Sequence, residues 1–232
     1  ACYCENCEKA FRNWLKERYG SLEELNRAWN ANFWSHTYHE WDEITAPSML
    51  TELEMRWGSM RTTFQGIALD YARFMSDSLL QCFELEKAAI KEYTPDIPVS
   101  TNFMGVNKAL DMHKWAKSMD FVGWDSYPGH KEEMSAVAMR HDIMRGLQNG
   151  RPFALLEQTP SVNNWDEYCR LKRPGYMRML SVQALAHGSD TVMFFQMKRS
   201  LGACEKFHGA VIDHSGRTDT RVFRELASFG EE

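Results

Sequence analysis

From Pro98 onward the chain alternates short apolar runs with helical segments, and this alternation constrains the fold more than any other feature. "PVSTNFMG" reads as a strand and "ALDMHKWAKSM" as a helix; "DFVGWDSYPG" and "EEMSAVAMRHDIMRGLQ" repeat the pair. "PFALLEQTPS", "RPGYMRMLSVQALAHG" and "DTVMFFQMK" add a strand, a helix and a strand. Strands that alternate with helices at this spacing imply right-handed crossovers and a parallel sheet. The expected strands cover about 98–104, 120–127, 153–158 and 191–197. A doubly wound sheet would carry a glycine-rich phosphate turn after its first strand, and "STNFMGVNKAL" has no G-x-G-x-x-G. Polar and aromatic residues stand instead at the C-terminal strand ends: Asn102 and Phe103, Trp124 to Tyr127, Glu157 with Gln158, and Gln196. A (β/α)8 barrel keeps its site there. Four strands make half of one.

The first part of the chain is helical. Apolar residues at Ala10, Phe11, Trp14, Leu15 and Tyr19 predict a helix over 7–19, stopped by Gly20. Ser21 then caps a second helix, with Glu24 as its capping-box partner. "NANFWSHTYHEWDEITAPS" reads as an aromatic loop, and a long helix is expected from Met49 to Tyr93, broken near Gly58 or Gly66 and ended before Pro95. The chain therefore reads as one domain, with the cysteine cluster, helices and aromatic loop in 1–48 and the long helix and barrel strands in 49–232.

Composition narrows the function classes. With 44% hydrophobic and 25% charged residues and a net charge of −5, the chain can bury a core. Its Lys and Arg are scattered, which argues against nucleic acid as a partner. No apolar run approaches the ~18 residues of a membrane span and no signal peptide is evident, so a cytoplasmic setting is expected. Eight Trp suit either a large core or the stacking of sugar rings.

Six cysteines in such a setting argue against a disulfide framework. Cys82, in an apolar helix, reads as a small buried thiol; Cys169 and Cys204 read as free thiols in loops. Cys2, Cys4 and Cys7 form C-x-C-x-x-C, which places three thiolates within reach of one tetrahedral ion and points to structural zinc, with coincidental free thiols as the alternative. The next candidate ligands, His36 and His39, lie beyond the following helix.

Four stretches together, "CYCENCEKAFRNWLKERYGSLEELNRAWNANFWSHTYHEWDEI", "DFVGWDSYP", "LLEQTPSVNNW" and "EKFHGAVIDHSG", resemble the catalytic domain of family 42 glycoside hydrolases, the bacterial β-galactosidases. The resemblance implies a retaining enzyme on a (β/α)8 barrel that removes terminal β-galactosyl groups. It implies that Glu157 is the nucleophile, that Trp165 contacts galactose, that Glu205 and His208 hold its hydroxyls, and that Tyr127 stands near the nucleophile. It also implies that Cys2, Cys4 and Cys7 are three of four zinc ligands and that the parent is a homotrimer. In the family pattern the fourth Cys, the Asn-Glu pair bearing the acid/base, and strands 1 to 4 precede these elements. No Asn is followed by Glu here, so the chain is expected to be the second half of a catalytic domain, weakly active or inactive by itself.

The chemistry can be stated without the family. Retaining hydrolysis needs two carboxyl groups ~5 Å apart, one attacking the anomeric carbon and one protonating the leaving oxygen. Glu157, at the end of an apolar strand facing loops rich in Trp, Tyr, Asn and His, suits the first role, with a structural carboxylate as the alternative. Trp165 can equally pack under its loop, Glu205 and His208 can be a solvated pair, and Asp125 reads as an acid or as an orienter of Tyr127. A carbohydrate-binding or scaffold protein without catalysis is the second reading. A zinc hydrolase is excluded by ligand type, since three thiolates leave little acidity for a bound water.

Overall fold

The computed structural model describes residues 2–47, 55–57, 60–62 and 64–232, arranged as two compact units. Unit 1 comprises 1–93 with 108–111, and unit 2 comprises 94–107 with 112–232.

Unit 1 is helical. Helix α1 (Glu5–Tyr19) buries Phe11 and Leu15, one turn apart, and ends at Gly20, whose φ of 73° is unstrained only for glycine. Ser21 Oγ accepts from the Glu24 N–H and opens α2 (Leu22–Trp29). Only half of the expected capping box forms, because the Glu24 carboxylate pairs with Arg27 instead. The aromatic loop contains two short 3-10 turns, Phe33–Ser35 and Trp41–Glu43, and Asn26 ties it down by bonding both the carbonyl and the N–H of Tyr38. Strands β1 (Met55–Trp57) and β2 (Met60–Thr62) pair antiparallel. The long helix α3 runs Gln65–Tyr93, so the expected start at Met49 is wrong: a hairpin occupies part of that stretch, while 48–54, Gly58, 59 and 63 lie outside the described residues. Gly66 falls in the first turn of α3 and does not break it.

The α1, α2 and α3 faces close on Phe11, Leu15, Leu25, Ile67, Tyr71 and Phe74. Within this core Asp70 is buried, and accepts from Tyr19 Oη at 2.5 Å, Trp29 Nε1 at 2.8 Å and Arg73 at 2.9 Å, so its charge is fully paired. Cys82 is exposed, contrary to expectation. The buried stripe of α3 runs through Ile67, Tyr71, Phe74, Leu80 and Phe83, and the residue next to Phe83 is rotated ~100° off it.

Unit 2 holds a four-stranded, all-parallel sheet in sequence order: β3 (Asn102–Phe103), β4 (Gly123–Asp125), β5 (Phe153–Glu157) and β6 (Ser189–Val192). Helices α4 (Met112–Ser118), α5 (Met134–Gly146) and α6 (Tyr176–Ala186) connect them, and α7 (Arg221–Glu231) ends the unit. Trp124 and Phe153 both pack on the buried His141 ring of α5, at 5.0 and 5.6 Å.

The last strand is displaced from the expected 191–197. It starts at Ser189 and is regular only to Val192; Met193 and Phe195 N–H still donate to the Leu155 and Gln158 carbonyls, and residues 196–199 then pair with 209–212, where Val211 N–H donates to the Gln196 carbonyl and Ile212 N–H to that of Met197. This second pairing carries the 200–208 loop. Gly209 permits it, since a Cβ there would lie 2.5 Å from Thr159 Oγ1 and 2.6 Å from Ser161 Oγ.

Candidate active site

Parallel pairing brings the C-terminal ends of β4 and β5 together, with Asp125 opposite Glu157 across a register shift and the Ser126 N–H donating 2.9 Å to the Glu157 carbonyl. Two residues past β4, Tyr127 donates from Oη to Glu157 Oε2 at 2.6 Å. Burial pushes the Tyr127 phenol well above its ordinary range, and the Glu157 charge adds to this. The phenol thus stays protonated and donating, and leaves Glu157 Oε1 free of it. That is the arrangement of an oriented carboxylate.

Aromatic rings surround this pair. Trp165, in the loop after β5, is 57% exposed and stands edge-on to Tyr127 at 5.0 Å, so it does not pack under its loop. His208 is fully buried against Tyr127 (5.6 Å), Trp165 (5.1 Å) and Phe195 (5.4 Å). Asn164 donates from Nδ2 to the Cys204 carbonyl at 2.5 Å, which turns its Oδ1 toward His208 Nδ1 at 2.9 Å. His208 therefore carries its proton on Nδ1. Burial holds its pKa below the usual histidine range, against the charge of Glu205.

These side chains line an open cavity of about 1290 Å³ that includes Glu157, Tyr127, Trp165 and Glu205. His208 is not on its wall; it backs the rings that are. The cavity also includes Phe195 and Asp125, which extend the expected set. Asp125 accepts from Asn102 Nδ2 at 2.5 Å, while its Oδ1 is buried without a hydrogen-bond partner among the described residues. Burial, with the Glu157 charge, pushes this carboxyl up to about 6. Tyr127 is oriented from elsewhere: Asn163 Nδ2 donates to its backbone carbonyl at 3.4 Å. The sequence places the asparagines of "SVNNW" in a loop facing Glu157 and assigns neither a partner, because adjacent Asn residues in a loop ordinarily signal a turn.

A smaller cavity in unit 1, about 540 Å³, is lined by Trp29, Phe33, His36 and Tyr38 and has no carboxylate on its wall among the described residues. The Cys2, Cys4 and Cys7 sulfurs lie within 4.8 Å of one another, with Cys2 and Cys4 at 3.4 Å. Tetrahedral thiolates ~2.3 Å from an ion stand ~3.8 Å apart, so the trio fits three corners of such a site. The Cys7 backbone and the Cys2 thiol lower Cys4 to about 7, while the bond to Cys2 and burial raise Cys7 to about 11. The Cys2 carbonyl is anchored by Tyr71 Oη at 2.5 Å. Cys169 and Cys204 are exposed in loops, as expected.

Comparison with known proteins agrees with this geometry. The chain is 57% identical over 231 residues to β-galactosidase BgaP of Planococcus sp. and 50% identical over 234 residues to LacZ of Lactobacillus acidophilus, in each case across 100% of this chain and 34% of the relative. It superposes on the crystal structure of the β-galactosidase from Bacillus circulans sp. alkalophilus with a TM-score of 0.94 and 61% identity, covering 100% of this chain and 34% of that one. The chain thus spans about a third of the length of these relatives. An exo-β-agarase at 18% identity and a TM-score of 0.54 shares the fold alone. The parallel sheet and its helices are part of a (β/α)8 barrel. The β-galactosidase family of glycoside hydrolases, family 42, matches residues 1–232, and the chain belongs to it.

Proposed function

We propose that the chain contributes the nucleophile side of a retaining β-galactosidase site. The carrying observation is the 2.6 Å bond from Tyr127 to Glu157 at adjoining strand ends, inside an aromatic cavity. Glu157 Oε1 attacks the anomeric carbon, the bond to the leaving oxygen breaks, and that oxygen takes a proton from a general acid. Water then attacks the glycosyl ester, gives its proton to the same group, and releases galactose with retained configuration. Trp165 offers a ring face to the apolar side of the sugar and Glu205 accepts from its hydroxyls, while His208 braces the rings around Glu157. The general acid is assigned to the part of the family's length that this chain does not span.

Cys2, Cys4 and Cys7 supply three thiolates to a zinc ion, which holds the start of α1 in place and takes no part in the reaction. Among the described residues no helix is long and apolar enough to cross a membrane. We place the protein in the cytoplasm as a homo-oligomer acting on β-galactosides.

The test is covalent trapping. A 2-fluoro-β-galactoside with a dinitrophenyl leaving group needs no acid, so the chain should form a stable adduct on Glu157, mapped by peptide mass spectrometry and absent in Glu157→Gln. An adduct on another carboxylate, or none, refutes the assignment. A sugar-binding or scaffold chain would bind galactose and form no adduct. Hydrolysis of lactose by the chain alone, at the rate of a full-length family member, would instead make a carboxylate such as Asp125 the acid. Metal analysis should find one zinc per chain, and Cys→Ser at positions 2, 4 and 7 should abolish it; zinc-free protein with unchanged melting removes that claim.

A further inference from the structure

We propose that Lys172, acting with Asn163, is a positioning residue that holds the turn bearing Tyr127 so that its phenol stays on Glu157. The inference rests on the reading of Glu157 as nucleophile. Lys172 is 7% exposed, although it lies in the basic stretch "CRLKRPG". Its Nζ donates to the Pro128 carbonyl at 3.3 Å and lies 5.3 Å from the centre of the Tyr176 ring. Asn163, buried more deeply still, donates from one amide nitrogen to the carbonyls of Tyr127 (3.4 Å) and Pro128 (3.3 Å). Lys172 is itself fixed, because its N–H donates to the Ser161 carbonyl and its carbonyl accepts from Arg221. The loop after β5 thereby grips the turn after β4 by its backbone carbonyls, next to the bond that orients the carboxylate.

The grip is costly to the fold. Burial lowers the Lys172 ammonium to about 8 against the pull of Asp166 and Glu132, so the folded state binds this proton more weakly than the unfolded chain does. Stability from this group therefore rises as pH climbs from about 8 toward the unfolded value, and at neutral pH the cost is fully present. The hydrogen bond runs the other way, since a charge-assisted N–H is about twice as strong as a neutral one. A cation kept beside the site at the expense of stability fits a role in positioning better than one in packing.

Lys172→Met keeps the volume and removes the charge, and Asn163 still covers the Pro128 carbonyl. We expect its melting temperature at pH 7 to equal or exceed that of the wild type, its Glu157 to be trapped about tenfold more slowly, and the Tyr127 ring resonance, assigned with Tyr127→Phe, to move. In the wild type that resonance should titrate with a midpoint near 8, far below ionisation of the phenol itself. His130→Asn, which removes the histidine 3.9 Å from Asp166, should leave the midpoint in place. Wild-type trapping rates with an unmoved resonance overturn the proposal. If Lys172→Met melts lower or does not fold, the wild-type titration decides, and a flat profile from pH 7 to 10 overturns it. A wild-type chain that is never trapped, with a resonance that still follows Lys172, would reject Glu157 as nucleophile and leave the clamp standing.

Discussion

A hydrogen bond to an ionised carboxylate contributes about 1.5–3 kcal/mol, which sets the scale for Tyr127. Tyr127→Phe removes the donor at 2.6 Å from Glu157 and keeps the ring that faces Trp165 and His208. The trapping rate should fall about tenfold to a hundredfold with little change in melting temperature, because the lost group holds charge rather than core. An unchanged rate would mean that the carboxylate is oriented by something other than this phenol. The place of Glu157 and Tyr127 at strand ends was legible in the sequence because such ends are predictable from apolar runs and turn residues, whereas Trp165 was drawn in only by the family resemblance. The burial of His208 was not legible, since it depends on rings from three separate loops that meet only in the folded unit.

At the scale of elements, the period of each segment was readable and its phase was less so. Helix α3 shows this: its length past Gln65 follows from the sequence, while the exposure of Cys82 depends on which stripe meets α1 and α2. Strand β6 shows a second limit. "DTVMFFQMK" is apolar enough to continue as a strand, but residues 196–199 find partners in 209–212, a pairing that no local pattern announces. Gly209 is the hinge of that pairing, pressed against Thr159, Ser161 and Val162. Gly209→Ala should push the loops apart, destabilising unit 2 by about 1–3 kcal/mol and slowing trapping, as the 200–208 loop carries Glu205 and His208. Denaturant melts and trapping rates check this together; an alanine variant with wild-type values in both would show that the contact yields without consequence.

For the molecule as a whole, His141 is a group through which acid lowers stability, opposed over much of the same window by the raised Asp125 carboxyl. Its ring is buried between Trp124 and Phe153 with Nδ1 lacking a hydrogen-bond partner among the described residues, and burial, helped by the charge of His187, lowers it to about 4. The folded state therefore favours the neutral ring. As pH falls below the unfolded value near 6.5, the unfolded chain takes up a proton that the folded chain refuses until about pH 4, and the stability contributed by this group is lost across that window. The full loss is on the order of 3 kcal/mol. His141→Phe should flatten the decline between pH 6.5 and 4, read from urea melts at both ends; parallel losses in variant and wild type would place the acid-sensitive group elsewhere. What the sequence alone determined is the kind of chain this is: an alternating α/β run with carboxylate and aromatic strand ends, a three-cysteine cluster, and family-42 stretches in order. These are local patterns, and local patterns follow from backbone periodicity and side-chain polarity. The tertiary structure decided which polar groups are buried: Lys172, Asn163, His141 and His208 all lose water to residues more than 10 positions away. Burial is a property of the packed whole, because a group loses its water only when distant segments close over it, and the energetic consequences of that closure cannot be read from any one stretch of chain.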